Sequence, residues 1–147
     1  MPAAPSATNI NRVVPAYLET GIFRPAPTLT TIANAMDVGN PGNFYRFSKI
    51  FDNDYGALTG AVSGYWFDDC LIREHIGREY RRTGYLLDPH GAVASLGLDA
   101  YLKHHPGSTG IFVATAHPAK FRDIVEPLIG QTVEIPDSLM NFLAGKK

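Results

Sequence analysis

Residues 86–102 read LLDPHGAVASLGLDAYL, and residues 110–121 read GIFVATAHPAKF. Both stretches begin with an apolar run and continue through a proline into a segment with helical features. Asp88 and Pro89 combine an N-cap residue with proline at the first helical position, which is a strong helix start. The run 110–116 is apolar and has the length of a strand that is buried on both faces. Such alternation of strand and helix predicts the α/β class with a mainly parallel sheet.

The same patterns extend over the rest of the chain. The first seven residues, MPAAPSA, are rich in proline and alanine, and we expect segment 1–7 to be flexible. Turn residues and apolar spacing predict helices over 11–19, 41–50, 68–83 and 89–104, a helix from 118 that Pro127 disrupts, and a terminal helix over 136–143. They predict strands over 61–66, 85–87, 110–116 and 133–135.

The composition excludes several classes of function. The 147 residues suffice for one domain of ordinary size, and 45% of them are apolar. Thirteen basic and fourteen acidic residues leave no positive excess for a nucleic-acid backbone. The single cysteine, Cys70, cannot form an internal disulfide. Because no apolar run approaches the roughly 20 residues of a membrane span and no secretory signal is recognisable, we expect a soluble, cytoplasmic protein.

Two junctions between a predicted strand and a predicted helix carry polar side chains. Asp88 and His90 lie at the first junction, and Thr115 and His117 lie at the second. Ligands of open α/β sheets bind beyond the carboxyl ends of the strands, and helix N-termini attract anions. The alternative is that Asp88 only caps its helix while Thr115 and His117 bond to local backbone groups. The residues alone leave both interpretations open.

Two further kinds of site lack their sequence signatures. The five histidines show no HExxH or comparable spacing, so we expect no metal centre. No serine lies in a GxSxG turn, which argues against hydrolysis by a Ser-His-Asp triad.

Four stretches, in this order, resemble the C-terminal part of the threonine synthase family. They are TNINRVVPAYLETGIFRP (8–25), NAMDVGNPGNFYR (34–46), LLDPHGAVASLGLDAYL (86–102) and GIFVATAHPAKFRDIVEPLIG (110–130). The resemblance implies a pyridoxal-phosphate enzyme of the tryptophan-synthase-β fold type, which converts O-phosphohomoserine and water to threonine and phosphate. It implies a three-layer αβα architecture, incomplete because the N-terminal part is absent. Residues 8–147 would then form the C-terminal part of the enzyme domain.

The resemblance also implies roles for individual residues. Thr115, in TAHP, would face the pyridine nitrogen of the cofactor, while His117 and Asp88 would support the walls of the site. Asp37 and Asn43 lie in a distinctive motif, but the resemblance assigns them no step of the reaction. It assigns no role to His90. No residue is expected to act as a catalytic acid or base.

The family's Schiff-base lysine, in an FKD motif, and its glycine-rich phosphate loop, near SGNFG, do not occur in this sequence. The resemblance does not make Lys120 of HPAKF the Schiff-base residue. We therefore expect the chain to be inactive alone. The alternative hypothesis is a non-catalytic binding or regulatory module that uses the same α/β unit.

Overall fold

The structure, a computed structural model, describes residues 3–137, 140 and 145. Two strands and six α-helices are present in this part of the chain. In chain order they are β1 (Ala4–Thr8), α1 (Val13–Thr20), α2 (Phe44–Ile50), α3 (Tyr55–Ala61), β2 (Val62–Trp66), α4 (Asp69–Thr83), α5 (Pro89–His104) and α6 (Arg122–Ile129). Short 3₁₀ turns occupy Asn34–Met36 and Pro118–Phe121.

The sheet consists of β1 and β2, which pair in parallel from Ala4 opposite Val62 to Thr8 opposite Trp66. The sequence predicted that segment 1–7 is flexible, whereas residues 4–7 belong to β1. This prediction was wrong because a proline- and alanine-rich sequence gives no local strand signal. Pairing with a strand far along the chain orders the segment.

Helices cover both faces of this small sheet. On one face, Gly64 of β2 lies so close to α1 that an added Cβ would be 2.9 Å from the Cα of Pro15. On the other face, a Cβ at Gly97 of α5 would be 2.5 Å from that of Ala7. Glycine is required at both positions because the layers approach so closely. The order α1, sheet, α5 confirms the predicted mixed α/β class with a parallel sheet.

The hydrophobic core lies on the α5 side of the sheet, where α4 and α6 also pack. Its buried members come from these three helices and from two short connecting segments: Ile32, Ala33, Ile72, Ile76, Leu87, Ala92, Val93 and Val125. Ile72 and Ile76, which are four residues apart and therefore lie on the same face of a helix, form the buried apolar stripe of α4. The core therefore holds the helix pair α4–α5 together beneath β1 and β2.

Local signals placed several helix ends correctly. The carboxylate of Asp68 accepts a hydrogen bond from the backbone N–H of Leu71 at 2.9 Å, which caps α4, and Gly84 ends this helix in the left-handed conformation. Asp88 and Pro89 open α5 as predicted. These signals succeed because a cap needs only neighbours in sequence.

Three predicted strands, 85–87, 110–116 and 133–135, are not strands in the described structure. A strand requires a neighbour for its backbone N–H and C=O groups, and β1 and β2 pair with each other. The prediction that the second half of the chain builds the sheet from its own strands was therefore wrong. The sheet instead joins the N-terminus to the middle of the chain.

Helix predictions also needed correction in detail. The helix expected from Pro41 begins at Phe44, and α3 lies in a segment for which no helix was predicted. Helix α6 continues past Pro127 to Ile129 and is capped by Gly130, because proline removes only one hydrogen bond while buried Val125 anchors the helix. Most of the terminal helix predicted over 136–143 lies outside the described residues.

Candidate functional site

A buried polar cluster follows the carboxyl end of β1. Asn9, the first residue after the strand, is completely buried. Its Nδ2 donates to Thr31 Oγ1 at 2.7 Å, to Asp37 Oδ1 at 2.7 Å and to the carbonyl of Ala33 at 3.2 Å. One side chain thus joins the end of β1 to residues 29–37, which we call the clamped segment.

Asn11 binds the start of the clamped segment in the same manner. The N–H of Leu29 donates to Asn11 Oδ1 at 2.8 Å, and Asn11 Nδ2 donates to the carbonyl of Leu29 at 2.8 Å. The backbone N–H of Asn11 also donates to Asn9 Oδ1 at 2.9 Å. The amide of Asn11 therefore pairs with the backbone as a neighbouring strand would.

Asp37 closes the clamped segment on itself. Its carboxylate accepts from the backbone N–H of Thr31 at 2.9 Å and from the hydroxyl of Thr31 at 2.7 Å, in addition to the amides of Asn9 and Asn11. All these donors are neutral. Asp37 thus has a place in the fold that the sequence did not assign: it fixes the curvature of the clamped segment.

The N-terminal ends of α4 and α5 hold the middle of the clamped segment. The carboxylate of Asp69 lies 3.3 Å from the backbone nitrogen of Ile32. The backbone N–H of Ala35 donates to Nε2 of His90 at 3.0 Å. The clamped segment is consequently bonded to three elements: the end of β1, the start of α4 and the start of α5.

Asp88 and His90 form a buried pair at the start of α5. Asp88 accepts from the backbone N–H of His90 at 2.9 Å, and its Oδ1 lies 3.0 Å from Nδ1 of His90. Since Nε2 of His90 accepts from Ala35, the hydrogen-bond network assigns the proton of the neutral imidazole to Nδ1, which donates to Asp88. Asp88 is therefore both a helix cap and the group that orients His90.

Residues 110–121 return along α5 toward this pair. A Cβ at Gly110 would be 2.2 Å from a methyl of Leu98, and the ring of Phe121 lies 5.1 Å from that of His90. Thr115 lies between these two anchors and is exposed. No hydrogen bond joins its side chain to another described residue. The stretch leads toward the end of the fold where Asp88 and His90 lie.

The remaining predicted positions lie at the surface. Nδ1 of exposed His117 accepts from the backbone N–H of Ala119 at 3.1 Å, so this histidine caps the turn that follows it, as the local interpretation predicted. Asn43 precedes α2 and is exposed, and its side chain makes no cap bond. Lys120 is exposed within the Pro118–Phe121 turn.

A second buried histidine joins α4 to α5. Nε2 of His75 lies 2.9 Å from Oγ of Ser95, and Nδ1 lies 2.7 Å from a guanidinium nitrogen of Arg78. Arginine can only donate, so Nδ1 accepts and Nε2 donates to Ser95. Burial, followed by the charge of Arg78, lowers the pKa of His75 below its ordinary value of 6.5.

Because Glu74, Arg78 and Glu79 lie close to it in the sequence, His75 is predicted to lie on the charged face of α4; the structure shows that this prediction is wrong, since His75 is buried. The spacing could have revealed the burial of His75, because His75 lies three residues after Ile72 and next to Ile76 on the buried stripe.

Within the described residues, no three histidine, cysteine, aspartate or glutamate side chains lie together in a way that could hold a metal ion. None of the helices described there has both the length and the apolar character that crossing a bilayer requires.

Comparison with known proteins gives a consistent picture. The family model described as "Threonine synthase, C-terminal" matches residues 92–147. Threonine synthase of Escherichia coli is 39% identical over 134 residues, which are 91% of this chain and 30% of that protein. The enzyme of Haemophilus influenzae is 40% identical over 134 residues, which cover 91% of this chain and 31% of that protein.

Solved structures show the same relationship. The crystal structure of the Escherichia coli threonine synthase matches with a TM-score of 0.83 and 38% identity over 92% of this chain and 31% of that chain. The yeast enzyme shares the fold with a TM-score of 0.76 at 22% identity, over 96% of this chain and 37% of that chain. The fold is therefore one that threonine synthases contain.

The sequence matches specify which part of that fold this is. The chain corresponds in sequence and fold to the C-terminal portion of the threonine synthase family. It spans 30% of the length of the Escherichia coli relative.

Proposed function

We propose that this chain supplies the C-terminal portion of a pyridoxal-phosphate-dependent threonine synthase, which converts O-phosphohomoserine and water to threonine and phosphate. The observation that carries the proposal is the match of 91% of the chain to the threonine synthase of Escherichia coli. Of the structural neighbours, the threonine synthase of Brucella melitensis is described as pyridoxal-phosphate-bound; at 24% identity it shows the fold alone. The reaction and its substrate belong to the whole enzyme.

Thr115 is the residue of this chain that we assign to the cofactor. Pyridoxal phosphate supplies an electron sink for carbanion chemistry, and groups near its ring nitrogen tune that property. The hydroxyl of Thr115 is exposed and not engaged by another described residue, so it is available to a ligand at the end of the fold. A neutral hydroxyl would hydrogen-bond the ring nitrogen without enforcing its protonation, whereas a carboxylate would enforce it.

The other residues of the candidate site act by position. Asp88 and His90 hold the start of α5 against the clamped segment, and Asn9 and Asp37 hold that segment against the end of β1. These groups shape the wall of a site without a free acid or base. The lysine that carries the cofactor comes from the rest of the enzyme, so the chain alone is inactive.

A fusion protein tests this proposal directly. The matching C-terminal portion of the Escherichia coli enzyme is replaced with this chain, and threonine and phosphate formation from O-phosphohomoserine are measured. We expect an active fusion.

Thr115→Val in this fusion loses one hydrogen bond worth about 1–3 kcal/mol. It should therefore weaken cofactor retention on dialysis or slow turnover by about ten- to hundredfold. The exposed Thr109→Val, six residues earlier, should change neither property.

Two outcomes would contradict the proposal. A folded fusion that retains cofactor but forms no threonine would favour a non-catalytic module, and an unchanged Thr115→Val fusion would reduce Thr115 to a surface residue. The unfused chain is the control for the missing lysine. It should form no borohydride-reducible adduct with pyridoxal phosphate at a single lysine, and an adduct abolished by Lys120→Arg would contradict the assignment.

A further inference from the structure

The imidazole of His90 contacts two segments that lie far apart in the sequence. Its Nε2 accepts from the backbone N–H of Ala35, in the clamped segment, at 3.0 Å. Its ring centre lies 5.1 Å from that of Phe121, which is within the usual distance of an aromatic pair. Phe121 ends the Pro118–Phe121 turn, which begins three residues after Thr115. His90 therefore joins the clamped segment to the turn that follows Thr115.

The orientation of the His90 ring is fixed by hydrogen bonds on both of its nitrogens. Nδ1 lies 3.0 Å from Oδ1 of Asp88, and both side chains are buried. A half-turn of the ring would place carbon atoms opposite Asp88 and Ala35, and both hydrogen bonds would be lost. The structure therefore holds His90 in one orientation, with its ring against Phe121.

The connection between Thr115 and Phe121 is short and closely bonded. The N–H of Ala119 donates to Nδ1 of His117 at 3.1 Å, and the N–H of Lys120 donates to the carbonyl of His117 at 3.0 Å. Pro118 fixes its own φ angle, and Ala119 is buried. A displacement of Phe121 is therefore carried through this turn to Thr115.

The clamped segment connects His90 to the sheet. Ala33, two residues before Ala35, accepts through its carbonyl from Nδ2 of Asn9 at 3.2 Å, and Asn9 directly follows β1. Contacts thus run from the carboxyl end of β1 through the clamped segment and His90 to the turn after Thr115. Ligands of α/β sheets bind at this end of the strands.

We propose that His90 is a positioning residue, which sets the place of Thr115 relative to the carboxyl end of β1. This inference rests on the proposed function, in which the hydroxyl of Thr115 meets the cofactor ring. His90 acts through Phe121 and does not touch the cofactor. Histidine suits this position because one aromatic ring carries a donor toward Asp88 and, on another nitrogen, an acceptor toward Ala35.

Amide exchange in the unfused full chain tests the connection without cofactor. The N–H groups of Ala119 and Lys120 bond to His117 and not to His90, so their exchange reports on the turn. His90→Leu should speed their exchange, and that of Ala35, by about tenfold or more. His90→Gln keeps an acceptor near the position of Nε2 but lacks the ring. It should restore slow exchange at Ala35 and leave exchange at Ala119 and Lys120 fast.

The matched control is His75→Leu, the same change at a buried histidine that bonds to Ser95 and Arg78. It should leave exchange at Ala119 and Lys120 as in the parent chain. Equal acceleration by His75→Leu and His90→Leu would overturn the proposal, because a general loss of stability would explain both. Slow exchange at Ala119 and Lys120 in a folded His90→Leu chain would overturn it too.

A double-mutant cycle in the fusion protein tests whether His90 acts through Thr115. His90→Leu should weaken the binding of pyridoxal phosphate by about tenfold when Thr115 is present and by less than about twofold in the Thr115→Val fusion. A role in folding alone would give equal losses in the two backgrounds, and that result would overturn the proposal.

Phe121→Leu approaches the same contact from its other side and replaces His90→Leu if that variant does not fold. It removes the ring that His90 meets and should speed exchange at Ala119 and Lys120 by a similar factor. Unchanged exchange in Phe121→Leu would overturn the proposal. A fusion that binds no cofactor would contradict the proposed function instead, and exchange in the unfused chain then decides whether His90 positions the turn.

Discussion

The clamped segment (29–37) and the apolar run (110–116) both lack strand structure, yet their surroundings are opposite. The clamped segment contains buried Thr31, Ile32 and Ala33, although polar residues surround them in the sequence. The apolar run leaves Ile111 and Val113 at the surface. Hydropathy alone would have predicted an exposed clamped segment and a buried apolar run. In this chain, burial depends on which partners are within reach.

The partners differ in chemistry. The clamped segment is hydrogen-bonded to side chains of the same chain: it accepts from Asn9 and Asn11 and donates to Asp69 and His90. The apolar run needs the backbone edges of neighbouring strands, which the described residues do not supply. A segment can thus be ordered by a few well-placed amides and imidazoles, whereas a sheet strand needs a whole neighbour.

The largest effect is expected at Asn9. Asn9→Leu keeps the approximate size but removes the donors to Thr31, Ala33 and Asp37, leaving buried acceptors unpaired. We expect the free energy of unfolding to fall by about 3 kcal/mol, the upper end of the cost of an unsatisfied buried group. A urea titration with an unchanged m-value measures this. Asn40→Leu, at an exposed turn, is the matched control; equal losses in the two variants would contradict a clamping role.

The second-largest loss of stability is expected at His90, which we compare with His117, since each histidine lies at the start of a helical segment. His90→Ala removes the acceptor for Ala35 and a partner of Asp88 from a buried site, and we expect a loss of about 2 kcal/mol. His117→Ala removes a bond from an exposed turn and should cost about 0.5 kcal/mol, the low end for a cap. Thermal unfolding of both variants tests the order. The reverse order would show that the second junction, rather than the first, stabilises the fold.

A smaller effect is expected in the dependence of stability on pH. Because the pKa of His75 is lowered in the folded chain, the unfolded chain binds more protons between that lowered pKa and 6.5. The free energy of unfolding should therefore fall as the pH decreases below 6.5, by less than the roughly 1.4 kcal/mol per pH unit that one proton allows. His75→Gln should flatten this slope, and the exposed His104→Gln should leave it unchanged. If the dependence of the free energy of unfolding on pH has the same slope in His75→Gln as in the parent chain, His75 is not its source.

The smallest effect is expected in the apolar run. Val113→Ala alters an exposed side chain, so the free energy of unfolding should change by less than about 0.5 kcal/mol. The same substitution at fully buried Val93 should cost about 2 kcal/mol, since each buried methylene contributes about 0.8 kcal/mol and a cavity remains. Chemical denaturation of both variants gives the comparison. A large loss at Val113 would mean that the run is buried in solution, for instance by self-association.

The sequence predicted the features that depend on neighbours along the chain. The caps at Asp68 and Asp88, the ends of α4 and α5 and the α/β class all follow from local residue patterns. The exposure of the apolar run could not be predicted, because periodicity shows which surface a segment can bury but does not show whether a partner is present. The bond from Ala35 to His90 was equally inaccessible, since it joins residues 55 positions apart. For Thr115 the role at the cofactor stays a prediction.

The pairing of β1 with β2 has a consequence for how the chain is made. Ala4 and Val62 are 58 positions apart, so at about 5–20 residues per second β1 is synthesised roughly 3–12 seconds before its partner strand. Helices α4 and α5, by contrast, are separated by five residues and can pack as soon as both exist. The ribosome therefore releases β1 seconds before the strand with which it forms the sheet, and β1 stays without its partner during that interval.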